Sequence, residues 1–141
     1  MALIVRETGP EDAAVVRDLL VEFNGEALPL DALSCRMQQA ANLEMTFLAE
    51  QAGSPAGLLV LRIVPTLSDP QDWAEITELY VRLPFRRQGI GTALVRAAVD
   101  RCRSRGCSQL NLLVDPANQE AGAFYRASGF RLDSCAMRRD V

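Results

Sequence analysis

The residues whose types and spacing suit chemistry lie together in Leu79-Tyr80-Val81-Arg82-Leu83-Pro84-Phe85-Arg86-Arg87-Gln88-Gly89-Ile90-Gly91-Thr92. A strand-like run passes through an Arg-rich, Gly-containing turn into the first turn of a long helix. The free N–H groups and positive dipole end of a helix start make an anion site, and glycine lets a phosphate come close to the backbone. Seven of the fifteen basic residues fall between Arg82 and Arg105, in a chain of formal charge −3. Arg82, Arg86 and Arg87 can reach a phosphate there; Arg96, Arg101, Arg103 and Arg105 read as a solvated helix face. The dinucleotide fingerprint does not fit, because Leu94 stands at its third Gly position. A plain strand–helix connection with glycines for packing accounts for the same residues.

Two absences narrow the chemistry. The chain has no histidine, and all fifteen basic residues are arginine. Catalysis by Ser-His-Asp or Cys-His, His-ligated metals, a Walker A lysine and a Schiff-base amine are therefore excluded. Cys35, Cys102, Cys107 and Cys135 form no C-x-x-C pair and read as free thiols, which suits a reducing cytoplasm and gives no metal site. The start, MALIVRETGPEDA, lacks the pattern of a signal peptide, and no run approaches the length of a membrane helix. The expected location is cytoplasmic, and the acidic balance argues against a nucleic-acid partner.

The elements that must position the glycine turn follow from periodicity. With 141 residues, 49% of them hydrophobic, the chain is expected to form a single domain, 1–141. Residues 2–8 read as a strand, and a helix opens at Glu11 and stops at Asn24-Gly25. A second helix covers 30–41 with Leu33, Met37 and Ala40/Ala41 on one face. Residues 44–51 and 56–64 form a hairpin around Gly53-Ser54-Pro55, 65–71 a loop, and 73–82 a strand. A helix over 89–105 repeats Ile90, Leu94, Ala97/Ala98 and Cys102, and Gly106 ends it. Residues 109–114 read as a central buried strand, 118–127 as a short helix and 130–137 as a last strand. The fold class is α/β (α+β): a mixed, mostly antiparallel sheet with a central parallel pair, and helices on both faces. The last strand offers an edge for pairing in a homodimer.

Arg86-x-x-Gly89-x-Gly91, preceded by Leu79-Tyr80-Val81, resembles the acyl-coenzyme-A-binding motif of the GNAT superfamily of N-acetyltransferases. Asn118-Gln-Glu-Ala121-Gly-Ala-Phe124-Tyr125, followed by Gly129-Phe130, resembles that family's second motif. The motifs are correctly ordered, and the element order matches across nearly the whole chain. The resemblance implies that the strands at 73–82 and 109–114 splay apart to receive acetyl-CoA. Leu79 and Val81 would bind the pantetheine arm through the backbone. Gln88, Gly89, Ile90, Gly91 and Thr92 would hold the pyrophosphate, with Arg86 or Arg87 beside it, and Asn118 would contact the arm.

The resemblance also implies the chemistry: transfer of an acetyl group to a primary amine of a small molecule, directly within a ternary complex. Tyr125 would protonate the departing thiolate, although its spacing with Ala121 and Phe124 also suits packing. A backbone N–H near Val81 would stabilise the carbonyl oxygen. Asn118 suits a helix N-cap as well as a ligand contact. For the general base, relatives carry a carboxylate where this chain has Thr77. Glu78, acting through water, is favoured over Glu75, although regular alternation puts Glu75 and not Glu78 on the face of Thr77; a bulge would reverse that. The acceptor pocket is expected from 24–29, 65–73 and the chain end, whose acids Glu22, Glu26, Asp31, Asp69 and Asp72, beside Trp73, suit a cationic amine. A non-catalytic acyl-CoA-binding module and an acetyltransferase acting on protein N-termini or another macromolecule are the alternatives.

Overall fold

The structure is a computed structural model and describes residues 2–141. The chain divides into two compact units, one running through Asn111 and the other from Leu112 to Val141.

The larger unit holds β1 (Leu3–Glu7), α1 (Ala13–Asn24), α2 (Leu30–Gln39), β2 (Glu44–Gln51), β3 (Ser54–Val64), β4 (Trp73–Val81) and α3 (Ile90–Arg105). A fifth strand, β5 (Gln109–Leu112), begins in it. The strands lie in the order β1-β2-β3-β4-β5; the first three pairings are antiparallel, and β5 runs parallel to β4. β3 is buried almost throughout from Ala56 to Ile63 because helices cover both of its faces. On one face Leu58 and Val60 join Leu48, Val16 and Leu19 of α1 and Leu33 of α2. On the other, α3 presents Ile90, Leu94, Val95, Ala98 and Cys102, all buried at helical spacing.

The helix starts differ from the sequence reading in one respect: Pro10–Asp12 forms a 3-10 turn before α1. Its Asp12 is held by Arg6 of β1 at 2.9 Å, and Arg6 also reaches Glu50 of β2 at 2.7 Å. The hairpin turn sits earlier than Gly53-Ser54-Pro55. Ala52 and Gly53 both take positive φ, 53° and 81°, the conformation of a two-residue hairpin turn. Pro55 is tolerated inside β3 because the β2–β3 register shifts there, with Glu50 opposite Pro55 and Ala49 opposite Gly57.

β5 corrects the expectation of a central buried strand. It is four residues long, stands last in the strand order and is only half-buried. Its place follows from the chain after it. In the smaller unit α4 (Gln119–Ala127) is formed, but residues 130–141 carry no regular structure. The expected strand 130–137 is therefore absent, and so is the edge on which pairing with a second copy rested. Leu132 and Met137 are 75% and 98% exposed; without a neighbouring strand to accept its hydrogen bonds, the segment has no ladder to join.

Candidate active site

The turn between β4 and α3 is built to present backbone donors. Gly89 precedes α3 with φ 80° and has open space where a Cβ would project. Ala93 N–H makes the helix's bond to the Gly89 carbonyl at 3.0 Å. The N–H groups of Ile90, Gly91 and Thr92 therefore precede the helical ladder and point out of its positive end. Arg87 beside them adopts φ 61°, unusual for a side-chain-bearing residue. Among the described residues its guanidinium has no hydrogen-bond or ion-pair partner, and it is exposed. A cation next to free N–H groups at an uncapped helix start fits a phosphate.

The other two arginines of the turn are engaged elsewhere. Arg82 pairs with Glu22 of α1 at 3.2 Å and donates to the Pro55 carbonyl at 3.2 Å. Arg86 donates from Nε to the Val81 carbonyl at 2.9 Å, with its guanidinium 5.9 Å above the Tyr80 ring. Tyr80 in turn donates to Glu22 at 2.8 Å and stacks on Phe23 at 5.0 Å. That hydrogen bond, then Arg82, holds the Glu22 carboxyl below its ordinary range, while burial pushes the Tyr80 hydroxyl up. The end of α1 is thus pinned to the end of β4.

The β4 backbone has an open side at the same place. Arg82 N–H donates to the Ala56 carbonyl at 2.8 Å, so Arg82 and Tyr80 turn their backbone groups toward β3. Leu79 and Val81 turn theirs the opposite way. On that side β5 starts beside Asp72, where Ser108 N–H donates at 3.0 Å, and it is four residues long against the nine of β4.

β4 carries the feature that decides which carboxylate faces the helices α1 and α2. Val60 pairs with Glu78, but the next residue, Leu61, pairs with Ile76, so Thr77 is an extra residue. This bulge turns Glu78 to the face that Thr77 occupies. Both line a cavity of about 330 Å³ with Asn24, Glu26, Arg36 and Arg62. Glu78 accepts a hydrogen bond from Asn24 Nδ2 at 3.3 Å. Glu75 is tied to Arg62 at 2.9 Å and does not line the cavity.

Of the acids expected around an acceptor, only Glu26 lines this cavity. Asp69 instead organises its own loop, accepting from Gln71 N–H, Ser108 Oγ and Trp73 Nε1 at 2.9, 2.9 and 3.2 Å. Those bonds, the one from Gln71 first, hold its carboxyl below the ordinary range. Asp31 sits in the first turn of α2, where the dipole favours it. The sequence reading missed Arg36, Glu44 and Arg62 as cavity residues. The i, i+3 spacing of Leu33 and Arg36 on α2 was the available sign for Arg36.

In the smaller unit, Asn118 caps α4: its Oδ1 accepts from Ala121 N–H at 3.1 Å, and its side-chain N–H groups stay available. Tyr125 stands edge-on to Phe124 and Phe130, ring centroids 5.4 and 5.8 Å away. Burial pushes its hydroxyl above its ordinary value, so it stays protonated at neutral pH.

Comparison with known proteins agrees with this arrangement. Residues 13–130 match the model of the acetyltransferase (GNAT) family. An uncharacterised N-acetyltransferase of Methanocaldococcus jannaschii is 34% identical over 86 residues, 60% of this chain and 38% of its own length. Thialysine N-epsilon-acetyltransferase of Bos taurus is 35% identical over 54 residues, 38% of this chain and 32% of its own. The match thus spans about a third of each relative's length. An aminoglycoside N-acetyltransferase in complex with CoA superposes with TM-score 0.86 at 18% identity, covering 99% of this chain and 95% of that one. An aminoglycoside acetyltransferase from an uncultured soil metagenomic sample does so with TM-score 0.86 at 19% identity, over 99% and 96%. The two structures show a shared fold, and the family match covers the glycine turn, the bulged strand and the Asn118–Tyr125 helix alike: the chain belongs to the acetyltransferase (GNAT) family.

Proposed function

We propose that residues 1–141 act as one domain that transfers an acetyl group from acetyl-CoA to a primary amine of a small molecule, directly within a ternary complex. The observation that carries this is the bulge at Thr77, which turns Glu78 into the cavity on the α1–α2 face. The open backbone of Leu79 and Val81 and the uncapped start of α3 adjoin it along the chain. Acetyl-CoA supplies an activated acyl group. Its phosphates fit the N–H groups of Gln88, Gly89, Ile90, Gly91 and Thr92 with the unpaired Arg87, while Arg86 fixes the Val81 carbonyl. The backbone of Leu79 and the Val81 N–H are available to the pantetheine arm, and Asn118 has a donor left for it.

An amine must lose a proton to attack, and Glu78 is the carboxylate available to take it through water. The developing negative charge on the carbonyl oxygen needs a donor, which the Val81 N–H supplies. The leaving sulfur needs a proton, and the buried, protonated Tyr125 supplies it. A cavity of about 330 Å³ supports a small-molecule amine as the acceptor.

Glu78→Gln tests the reading. The expected outcome is a fall in kcat of about 10²-fold or more, as for loss of a general base, with acetyl-CoA affinity retained. Unchanged kcat would withdraw the base. Acetyl-CoA binding without turnover of any amine by the natural chain would favour a non-catalytic acyl-CoA-binding module.

A further inference from the structure

The cavity that holds Glu78 is not uniformly acidic, and its charges are unequally occupied. Arg62 stands in register between Glu44 of β2 and Glu75 of β4, and it pairs with Glu75 at 2.9 Å. That guanidinium is already neutralised. Arg36 of α2 lines the same cavity, and among the described residues its side chain has no hydrogen-bond or ion-pair partner. The lining also includes Leu33, Met37 and Val60, and two further carboxylates, Glu26 and Glu44. The cavity thus offers carboxylates for an amine, apolar side chains, and one unpaired guanidinium.

From this, and resting on the acetyltransferase reading above, we propose that the acceptor is an amine that carries a carboxylate and an apolar side chain on the same carbon: an α-amino acid of the leucine or methionine kind. Arg36 binds the carboxylate and Glu78 receives the amine. A protein N-terminus has no carboxylate near its amine to meet Arg36, and fits less well. The transfer balances as follows. The ammonium gives up one proton before attack and the nitrogen a second after it. The new C–N bond replaces the C–S bond, the sulfur takes one proton, and one proton is released to solvent.

The test uses the whole chain and acetyl-CoA in a thiol-release assay. Acceptors are leucine, leucinamide, isoamylamine and spermidine, with acetyl-CoA binding measured by calorimetry on the same sample. Leucine is expected to exceed leucinamide and isoamylamine in kcat/KM by about tenfold or more, the scale of one charge-assisted hydrogen bond. Arg36→Gln should raise KM for leucine while kcat and acetyl-CoA affinity stay near their original values, and Arg36→Lys should restore part of the loss. Equal or better use of leucinamide would overturn the proposal in favour of protein N-termini. Best use of spermidine would overturn it in favour of a polyamine. In both cases the acetyltransferase reading would stand. Coenzyme binding with no turnover of any amine would overturn that reading and this inference with it.

Discussion

Tyr125 and Arg87 show how single side chains are tuned to separate jobs. Half-buried beside Phe124 and Phe130, the Tyr125 hydroxyl is held still further above neutrality than an ordinary tyrosine, so it can donate a proton at neutral pH. Tyr125→Phe keeps the ring packing and deletes the proton. We expect kcat to fall by about 10²-fold with acetyl-CoA affinity changed by less than about threefold, since the role proposed is general acid catalysis. Steady-state kinetics alongside calorimetry checks this, and an unchanged kcat leaves only packing for Tyr125. Arg87 pays for its position: a residue with a Cβ at φ 61° carries local strain. Arg87→Gly relieves the strain and removes the cation. Thermal unfolding should show stability unchanged or raised by up to about 1 kcal/mol, while acetyl-CoA affinity falls about tenfold. A joint loss of both would mean that Arg87 serves the fold and not the ligand.

At the scale of elements, β4 is the part that the sequence left most open. Its apolar positions identify a strand, and the amphipathic period of α1–α3 identifies the helices that cover it. Local pattern cannot register a bulge, because Thr77 is extra only relative to the partner strand. That is why regular alternation put Glu75 and not Glu78 on the face of Thr77, while the observed register brings Glu78 to the cavity. The strand expected at 130–137 failed for a related reason: alternation of Phe130 and Leu132 with Arg131 and Asp133 permits a strand, but formation requires a partner edge. The turn and capping conformations of Gly89 and Asn118 were legible because each is tied to a local helix start. Gly57 carries a constraint on β4 from across the ladder. A Cβ there would lie 2.6 Å from the Tyr80 carbonyl oxygen and 3.2 Å from the Val81 Cα. Both are backbone, so β4 itself must shift. Gly57→Ala is expected to destabilise the fold by about 1–3 kcal/mol and to weaken acetyl-CoA binding more than a stability loss alone explains. Affinity measured well below the unfolding temperature separates the two effects, and unaltered affinity would show that Leu79–Val81 need no exact placement.

For the whole molecule, acidity acts on folding as well as on catalysis. Fifteen arginines face eighteen acids, and most of the ion pairs are exposed enough to contribute little. The pair of Arg6 and Asp12 differs, because the Asp12 side chain is only 12% exposed and is fixed by two guanidinium bonds, at 2.9 and 3.0 Å, and by Gly9 N–H at 3.0 Å. The bond from Arg6 is the main cause that holds its carboxyl below the ordinary 3.8, with the Gly9 bond adding to it. A carboxylate with a depressed native pKa binds fewer protons folded than unfolded. Its stabilisation is therefore complete above the unfolded value and is lost as pH falls through the lower native one. Asp12→Asn should thus lower stability near pH 7 by about 1–2 kcal/mol, a figure discounted for the 41% exposure of Arg6. The difference from the natural chain should shrink steadily below pH 4 as that chain protonates Asp12. Denaturant unfolding of both proteins at pH 7, 5, 4 and 3 would show the two curves converging. A gap that stayed constant to pH 3 would mean that Asp12 holds β1 to the start of α1 by shape and hydrogen bonding alone, without its charge.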